Sequence, residues 1–169
     1  MFKKLACAGL LSAVAATGLF SATITDAQKD TLFFIYQEEK VARDTYITLG
    51  NLYPSENTFA NIQLSEQEHI DQARGLCEKY GVDISQVDES MVGEFELPVL
   101  QELYDTLVSQ GTISLLSALM VGEYIEVTDI DDLENAAEGM PKDVVRVYGN
   151  LKNGSLNHLD AFRTAIDAQ

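Results

Sequence analysis

Residues 59–80 read FANIQLSEQEHIDQARGLCEKY, and this stretch decides the fold. Its apolar positions recur at alternating spacings of three and four, which predicts one helix with a buried seam. A seam normally carries aliphatic side chains, yet a carboxylate and an imidazole occupy the middle of this one, at Glu66 and His69. Because an unpaired buried carboxylate is costly, the pair needs a partner, and a metal ion is a good one. The seam consists of Phe59, Ile62, Glu66, His69, Ala73, Leu76 and Tyr80.

The same periodicity predicts three further long helices. With the helix above, the four cover about residues 26–51, 56–80, 112–138, and from the break at Gly139-Met140-Pro141 to about 165. Pro98 opens a shorter amphipathic helix that ends near Gln110. The other three seams are Leu32, Ile35, Glu39, Ala42, Tyr46 and Leu49 on the first helix; Leu116, Leu119, Glu123, Glu126, Ile130, Leu133 and Ala137 on the third; and Tyr148, Leu151, Ser155, His158, Phe162 and Ala165 on the fourth.

The connections between these helices predict the fold class. The first and last connections are short, whereas about 30 residues separate the second and third long helices, which is enough chain to cross a bundle. Four amphipathic helices joined in this way predict an all-α four-helix bundle with one long crossover that contains the short extra helix. The predicted domain spans residues 26–167.

Each long helix breaks its apolar seam with polar residues near its middle. In a four-helix bundle these levels coincide, so four carboxylates and two imidazoles would face one another in a dry core. Oxygen and nitrogen donors of this kind suit iron, manganese or zinc, and there are about enough of them for two ions. The candidate ligands are Glu39, Glu66, His69, Glu123, Glu126 and His158, with Ser155 at the remaining position.

A purely structural interpretation of these polar positions competes with the metal site. A single polar seam residue often sets the register of a helix, and a lone buried histidine is usually hydrogen-bonded to its neighbours. Burial of four unpaired carboxylates, however, would threaten a stability of only about 5–15 kcal/mol. The other alternative is that part of a face points to solvent, and the pair Glu123 and Glu126 is the weakest case. Glu38 and Glu68 lie beside candidate ligands but off the seams, which predicts solvated side chains.

The first 22 residues have the composition of a secretory signal peptide. Lys3 and Lys4 precede an uncharged, Ala-rich apolar run from Leu5 to Ala22. This pattern predicts an exported protein, periplasmic or secreted, with the cleavage site undecided. An uncleaved anchor is the alternative, because the run is only about long enough to span a bilayer.

The chain is strongly acidic. It carries 27 Asp and Glu against 11 Lys and Arg, a formal charge of −16. Without Lys3 and Lys4 the charge becomes −18, from 27 acids against 11 − 2 = 9 bases. Such a charge argues against nucleic acid and an anionic membrane surface as partners, and it suits the attraction of metal ions. Of the two cysteines only Cys77 lies beyond the predicted signal segment, and its place beside a seam predicts a buried thiol.

Three helix motifs resemble those of the ferritin-like superfamily of di-iron carboxylate bundles. Residues 39–46, EKVARDTY, resemble the first-helix motif, in which a metal-binding Glu is followed by Ala and Tyr on one face. Residues 65–69, SEQEH, resemble the second-helix Glu-x-x-His motif. Residues 122–126, GEYIE, are similar to the third helix of the rubrerythrin branch, with two Glu three residues apart. Residues 38–44 (EEKVARD) and 157–162 (NHLDAF) most resemble a branch described as a domain of unknown function.

One position departs from the pattern of the superfamily. The fourth helix should carry a second Glu-x-x-His, whereas this chain has Ser155 in place of that Glu. Glu126 could compensate, so that it holds a second ion with Glu123 and His158; alternatively, only the first site fills. Asp129 continues the same face and could orient a ligand. The first ion would be held by Glu39, Glu66 and His69.

The resemblance implies an exported bundle that binds one or two transition-metal ions, with iron first and manganese or zinc as alternatives. It also implies oxidation of ferrous iron by dioxygen or peroxide, with an unknown redox partner, because rubredoxin-like Cys pairs are absent from the sequence. Tyr46 is interpreted as core packing, with a role in orienting a ligand, or as a redox-active tyrosine, as the alternative. Two other hypotheses stay open: a metal-binding or storage protein without turnover, and a metal-free helical interaction module. The sequence does not decide between a monomer and a homodimer.

Overall fold

Five α-helices make up most of the chain that the structure describes. This computed structural model describes residues 23–169, so the predicted signal segment Met1–Ala22 lies outside the described residues. Within 23–169 no strand occurs, and none of the helices is both long and apolar enough to cross a membrane. The helices are α1 (Asp26–Leu52), α2 (Asn57–Tyr80), α3 (Pro98–Gly111), α4 (Leu115–Ala136) and α5 (Lys142–Asp167).

Local sequence sets where these helices begin and end. The Thr25 hydroxyl accepts a hydrogen bond from the backbone N–H of Gln28, whose side chain accepts one from the Thr25 backbone, and this capping box opens α1. Gly81 ends α2 in a left-handed conformation with φ of 66°. Helix α4 begins three residues later than predicted, because the Ser114 side chain accepts a hydrogen bond from the backbone N–H of Ser117 and caps the helix there.

The four long helices form a ring in which neighbours run in opposite directions. Helix α1 packs against α2 and α4, and α5 packs against the same two helices. Tyr46, late in α1, contacts Gly122, early in α4, and Lys79, late in α2, contacts Asp143, early in α5. The neighbouring pairs α1 and α4, and α2 and α5, are therefore antiparallel, as are the pairs joined by short connections. The prediction of an all-α four-helix bundle is confirmed.

The long connection crosses the bundle and is held to α1 by buried charges. The Lys40 side chain is fully buried, and its ammonium donates to Asp44 (2.6 Å) and to the carbonyls of Met91 (2.8 Å) and Glu94 (3.0 Å). A buried charge is tolerated when it is paired and hydrogen-bonded in this way. Helix α3 follows and lies against α1 and α4. The predicted crossover with a short extra helix is confirmed.

Two apolar clusters fill the bundle and leave a polar layer between them. One contains the rings of Tyr46, Phe59 and Phe162, whose centroids are 5.1–6.3 Å apart, and the other contains Tyr148. The predicted seams of α1, α2 and α5 are confirmed, since every member is buried except Ala165, which is half-buried. The polar residues in the middle of these seams are therefore shielded from water.

The buried face of α4 is turned relative to the predicted seam. Gly122 takes the position assigned to Glu123, and Asp129 follows on the same buried face. Gly122 lies inside because the ring of Phe162 packs directly onto it; a Cβ there would be 2.6 Å from Phe162 Cδ1. Glu123 lies at the edge of the bundle with its side chain 33% exposed and accepts a hydrogen bond from Arg163 Nε at 2.8 Å. A glycine adds nothing to an apolar pattern, so periodicity alone could not place it.

Candidate metal centre

Five of the six predicted ligands meet in the middle of the bundle, and every long helix contributes at least one. They are only 1–7% exposed, and both histidines of the chain are among them. Glu123 is the predicted ligand that the structure does not bring here. The five form two groups that share Glu66, and the ligand atoms within each group lie within 4.8 Å of one another. The groups are Glu39, Glu66 and His69, and Glu66, Glu126 and His158.

Glu66 lies between the two imidazoles. Its Oε2 is 3.0 Å from Nδ1 of His69, and its Oε1 is 2.8 Å from Nδ1 of His158. Each imidazole also faces a second carboxylate: Glu39 Oε2 is 3.2 Å from Nδ1 of His69, and Glu126 Oε2 is 3.5 Å from Nδ1 of His158. The rings are stacked with centroids 5.3 Å apart. The site thus has two similar halves that share one carboxylate.

These separations fit the ligands of metal ions. Two donors bound at about 2.1 Å lie about 3.0 Å apart at a right angle and about 3.4 Å apart at a tetrahedral angle. The four carboxylate–imidazole separations run from 2.8 to 3.5 Å. One buried donor atom, Glu39 Oε1, has no hydrogen-bond partner within the described part of the chain. Such an atom is costly to bury unless something binds it, so the donor set suits a metal pair.

Ser65 determines which nitrogen of His158 faces the site. Its Oγ lies 2.8 Å from Nε2 of His158, so Nε2–H can donate there, and Nδ1 faces Glu66 and Glu126 and can bind an ion once it has lost its proton. Histidines that bind metals commonly donate their second ring N–H in this way. The sequence carries no indication of this contact, because Ser65 lies off its seam and meets His158 only across two packed helices.

Tyr46 orients Glu126. Its hydroxyl donates to Glu126 Oε1 at 2.6 Å, and the residue is fully buried. Burial raises the pKa of Tyr46 well above its ordinary value, and the charges of Glu126 and Glu66 raise it further. The hydroxyl therefore keeps its proton and remains a donor. The role in orienting a ligand, considered above as the alternative for Tyr46, agrees with this contact.

Both imidazoles are in the doubly protonated, positively charged form at neutral pH when no ion is bound. Burial lowers the pKa of His69, but hydrogen bonds to Glu39 and Glu66 outweigh burial and raise that pKa to about 11. For His158, burial is likewise outweighed by Glu126 and Glu66, and its pKa rises to about 9. Burial, followed by the charge of Glu66, raises the pKa of Glu126 to about 8. An ion that binds these atoms must displace their protons.

Three predictions concern residues near the centre but off the seams. Glu38 was predicted to be solvated, and this is wrong: it is 7% exposed and lines a cavity of about 20 Å³ with Leu103 of α3. The position of α3 over this face of α1 is a tertiary feature that the periodicity of α1 does not contain. Glu68 is exposed as predicted. Cys77 is buried as predicted, and burial raises the pKa of its thiol to about 12.

Comparisons with known proteins agree with this helical architecture. Residues 28–169 match the model of a family described as "Uncharacterized protein domain (DUF2202)". Uncharacterized protein MJ0754 of Methanocaldococcus jannaschii is 42% identical over 142 residues, which cover 82% of this chain and 75% of that protein. The crystal structure of hypothetical protein MJ0754 from Methanococcus jannaschii DSM 2661 matches with a TM-score of 0.81 at 39% identity, covering 86% of this chain and 82% of that one. The chain therefore belongs to the DUF2202 family.

Proposed function

We propose that the chain is a ferritin-like di-iron carboxylate protein that binds two transition-metal ions in its bundle core. The observation that carries the proposal is the position of Glu66, whose two oxygens face two different imidazoles at 3.0 and 2.8 Å. A carboxylate in this position can bridge two ions. The superfamily is proposed from the motif that begins at Glu39 and from the Glu-x-x-His spacing of Glu66 and His69.

The donor set supports iron as the metal. Carboxylate oxygens and imidazole nitrogens without a thiolate suit iron, manganese or zinc, and the resemblance to di-iron proteins favours iron among them. Glu39 and His69 would bind one ion, Glu126 and His158 the other, and Glu66 both. Bound ferrous iron would supply electrons to dioxygen or peroxide.

The proposed reaction is the oxidation of ferrous iron. Two ferrous ions would each lose one electron; hydrogen peroxide would take both electrons with two protons and become two waters, or dioxygen would take them with two protons and become hydrogen peroxide. The chain contributes a shielded site, since its candidate ligands are at most 7% exposed. Tyr46 holds the carboxylate of Glu126, and Ser65 holds the ring of His158.

Export from the cytoplasm is part of the proposal. It rests on the two lysines and the uncharged apolar run within Met1–Ala22. The net charge of −16 would raise the local concentration of cations at the protein surface. The same charge supports metal ions, and neither nucleic acid nor an anionic membrane, as partners.

Metal binding without turnover is the second candidate function. Ser155 favours it, because α5 places a hydroxyl where α2 places the carboxylate of Glu66, and a neutral hydroxyl is a weak ligand. Measurements of oxygen and peroxide consumption by the ferrous-loaded protein separate the two candidates. A ferroxidase consumes either oxidant faster than free ferrous iron does, whereas a binding protein does not.

Elemental analysis after anaerobic loading with ferrous iron tests the metal centre itself. The purified protein is compared with Glu66→Ala, His158→Ala and a control, Glu68→Ala, whose side chain is exposed on the same helix as Glu66. We expect two irons per chain in the unmodified protein and in the control, one for each group of ligands. His158→Ala should retain at most one, and Glu66→Ala fewer still, because it removes a ligand from both ions. If the unmodified protein binds no iron, manganese or zinc, the proposal is overturned.

A further inference from the structure

Helix α5 has no carboxylate at the position, three residues before its histidine, where α2 has one. Helix α2 places Glu66 three residues before His69, whereas α5 places Ser155 three residues before His158. The Ser155 side chain is fully buried, so its hydroxyl must find a partner inside the protein. Its shortest hydrogen bond is to a carboxylate on the neighbouring helix: Ser155 Oγ donates to Asp129 Oδ2 at 2.6 Å, while the Leu151 carbonyl of its own helix lies at 3.1 Å.

Asp129 belongs to the same polar layer as the two groups of ligands. It follows Glu126 by three residues on the buried face of α4 and is only 6% exposed. Burial raises the pKa of Asp129 well above its ordinary value, and the negative charges of Glu39 and Glu66 raise it further, while the Ser155 hydrogen bond opposes them. The charges of Glu39 and Glu66 thus affect Asp129, which itself lies outside both groups.

The charge of the site favours a fourth carboxylate. Two divalent ions bring a charge of +4, and neutral imidazoles add none. Glu39, Glu66 and Glu126 supply −3, which leaves one positive charge without compensation in a buried layer. Asp129 supplies the missing negative charge. Glu38 and Asp129 both line the small cavity under α3, and both lie outside the two groups of ligands. What distinguishes Asp129 is its hydrogen bond to Ser155, the residue three positions before His158.

We propose that Asp129 is a carboxylate ligand of the metal pair and that Ser155 positions it. Helix α4 would then supply the carboxylate that α5 does not, and the short side chain of Ser155 leaves the space that this carboxylate occupies. The inference rests on the proposed function. It gives the centre four carboxylates and two imidazoles, with Asp129 in place of the edge residue Glu123.

Titration of the chelator-treated protein with Co²⁺ tests this assignment. Asp129→Asn keeps the size of the side chain and an oxygen that can accept the Ser155 hydrogen bond, but it removes the charge. The control is Asp131→Asn, whose side chain is exposed on the same helix. We expect two tightly bound Co²⁺ in the unmodified protein and in the control, but only one in Asp129→Asn. The affinity of Asp129→Asn for the second Co²⁺ should fall by more than about 100-fold, whereas loss of a residue that only orients a ligand typically lowers metal affinity by about 10–100-fold.

A swap of the two residues distinguishes a ligand from an orienting residue. The double variant Asp129→Ser with Ser155→Glu supplies the carboxylate from the neighbouring helix α5, and we expect it to bind the second Co²⁺ within about tenfold of the unmodified protein. Far-UV circular dichroism of the metal-free variants confirms folding, and the swap variant decides the question if Asp129→Asn does not fold. Two tight Co²⁺ in Asp129→Asn, or no recovery in the swap variant, overturns the ligand role. No bound Co²⁺ in the unmodified protein overturns the proposed function instead.

Discussion

Gly154 offers a perturbation that separates the metal centre from the stability of the bundle. It lies within α5 and faces the ring of His69, so that a Cβ there would be 2.9 Å from Cε1 of His69 and closer still to its Nε2. Gly149 lies in the same helix, and a Cβ there would meet no atom of the described chain within 4 Å. The substitutions Gly154→Ala and Gly149→Ala therefore differ in one contact.

The magnitudes follow from helix propensity and from packing. Alanine in a helix interior is more stable than glycine by about 0.5–1 kcal/mol, so Gly149→Ala should stabilise the protein by about that amount. Gly154→Ala should have the same gain in helix propensity, but overpacking against His69 should cost about 1–3 kcal/mol of stability. We expect the two variants to differ by about 1–3 kcal/mol, and each kcal/mol shifts the melting temperature by about 2–4 °C in a domain of this size.

The effect of Gly154→Ala on metal binding should be larger than its effect on stability. Carbon atoms pack at about 3.5 Å or more, so the His69 ring must retreat by at least about 0.6 Å (3.5 − 2.9). Distances to metal ligands hold to within about 0.2 Å. We expect Gly154→Ala to weaken the ion beside His69 by at least about 10–100-fold.

Thermal unfolding with and without Mn²⁺, together with elemental analysis, measures both effects. Gly149→Ala should raise the melting temperature and keep the full complement of metal, while Gly154→Ala should lose the stabilisation that Mn²⁺ gives. Equal stability gains and equal metal content in the two variants would refute the packing of α5 against His69 as the contact that positions this ligand.

Two further predictions follow from the buried charges. Because the pKa values of His69 and His158 are raised to about 11 and about 9, both imidazoles are protonated at pH 7, and Mn²⁺ must displace their two protons. Because each ion displaces one of these protons, the affinity for each Mn²⁺ should rise at least about tenfold per pH unit between pH 6 and 8, with proton release visible by calorimetry in buffers of different ionisation enthalpy; a flat profile would contradict these protonation states. Asp44→Ala should leave the Lys40 ammonium buried without its carboxylate and cost about 3–5 kcal/mol in urea unfolding, whereas the exposed control Asp131→Ala should change stability by no more than about 0.5 kcal/mol.

The sequence predicts the seams of three long helices because the pattern on each is local. On α1 and α2, apolar residues surround Glu39, Glu66 and His69 at regular spacing, and a buried face of this kind admits only one rotation of the helix. The crossover was predictable for a similar reason, since connection length limits which helix ends can be joined. These features need no knowledge of what lies opposite.

The features that the sequence does not predict all depend on contacts between elements. Gly122 occupies a seam position only because the Phe162 ring fills the space beside it. With Gly122 on the buried face, the next residue, Glu123, lies at the edge of the bundle and not at the centre. Glu38 is buried because α3 covers it, and Ser65 matters because His158 arrives from another helix. Asp129 was recognised from its spacing after Glu126 as a residue that could orient a ligand, but its hydrogen bond to Ser155 on another helix could not be read from the sequence.

The most direct test of the metal centre is an anomalous diffraction map from crystals grown with Mn²⁺ and measured at the manganese absorption edge. We predict two peaks per chain, one bonded to Nδ1 of His69 and one to Nδ1 of His158, with the carboxylate of Glu66 between them. A map with no peak at either nitrogen, or with Mn²⁺ only on exposed carboxylates, would contradict the proposal that this polar layer is a dinuclear metal site.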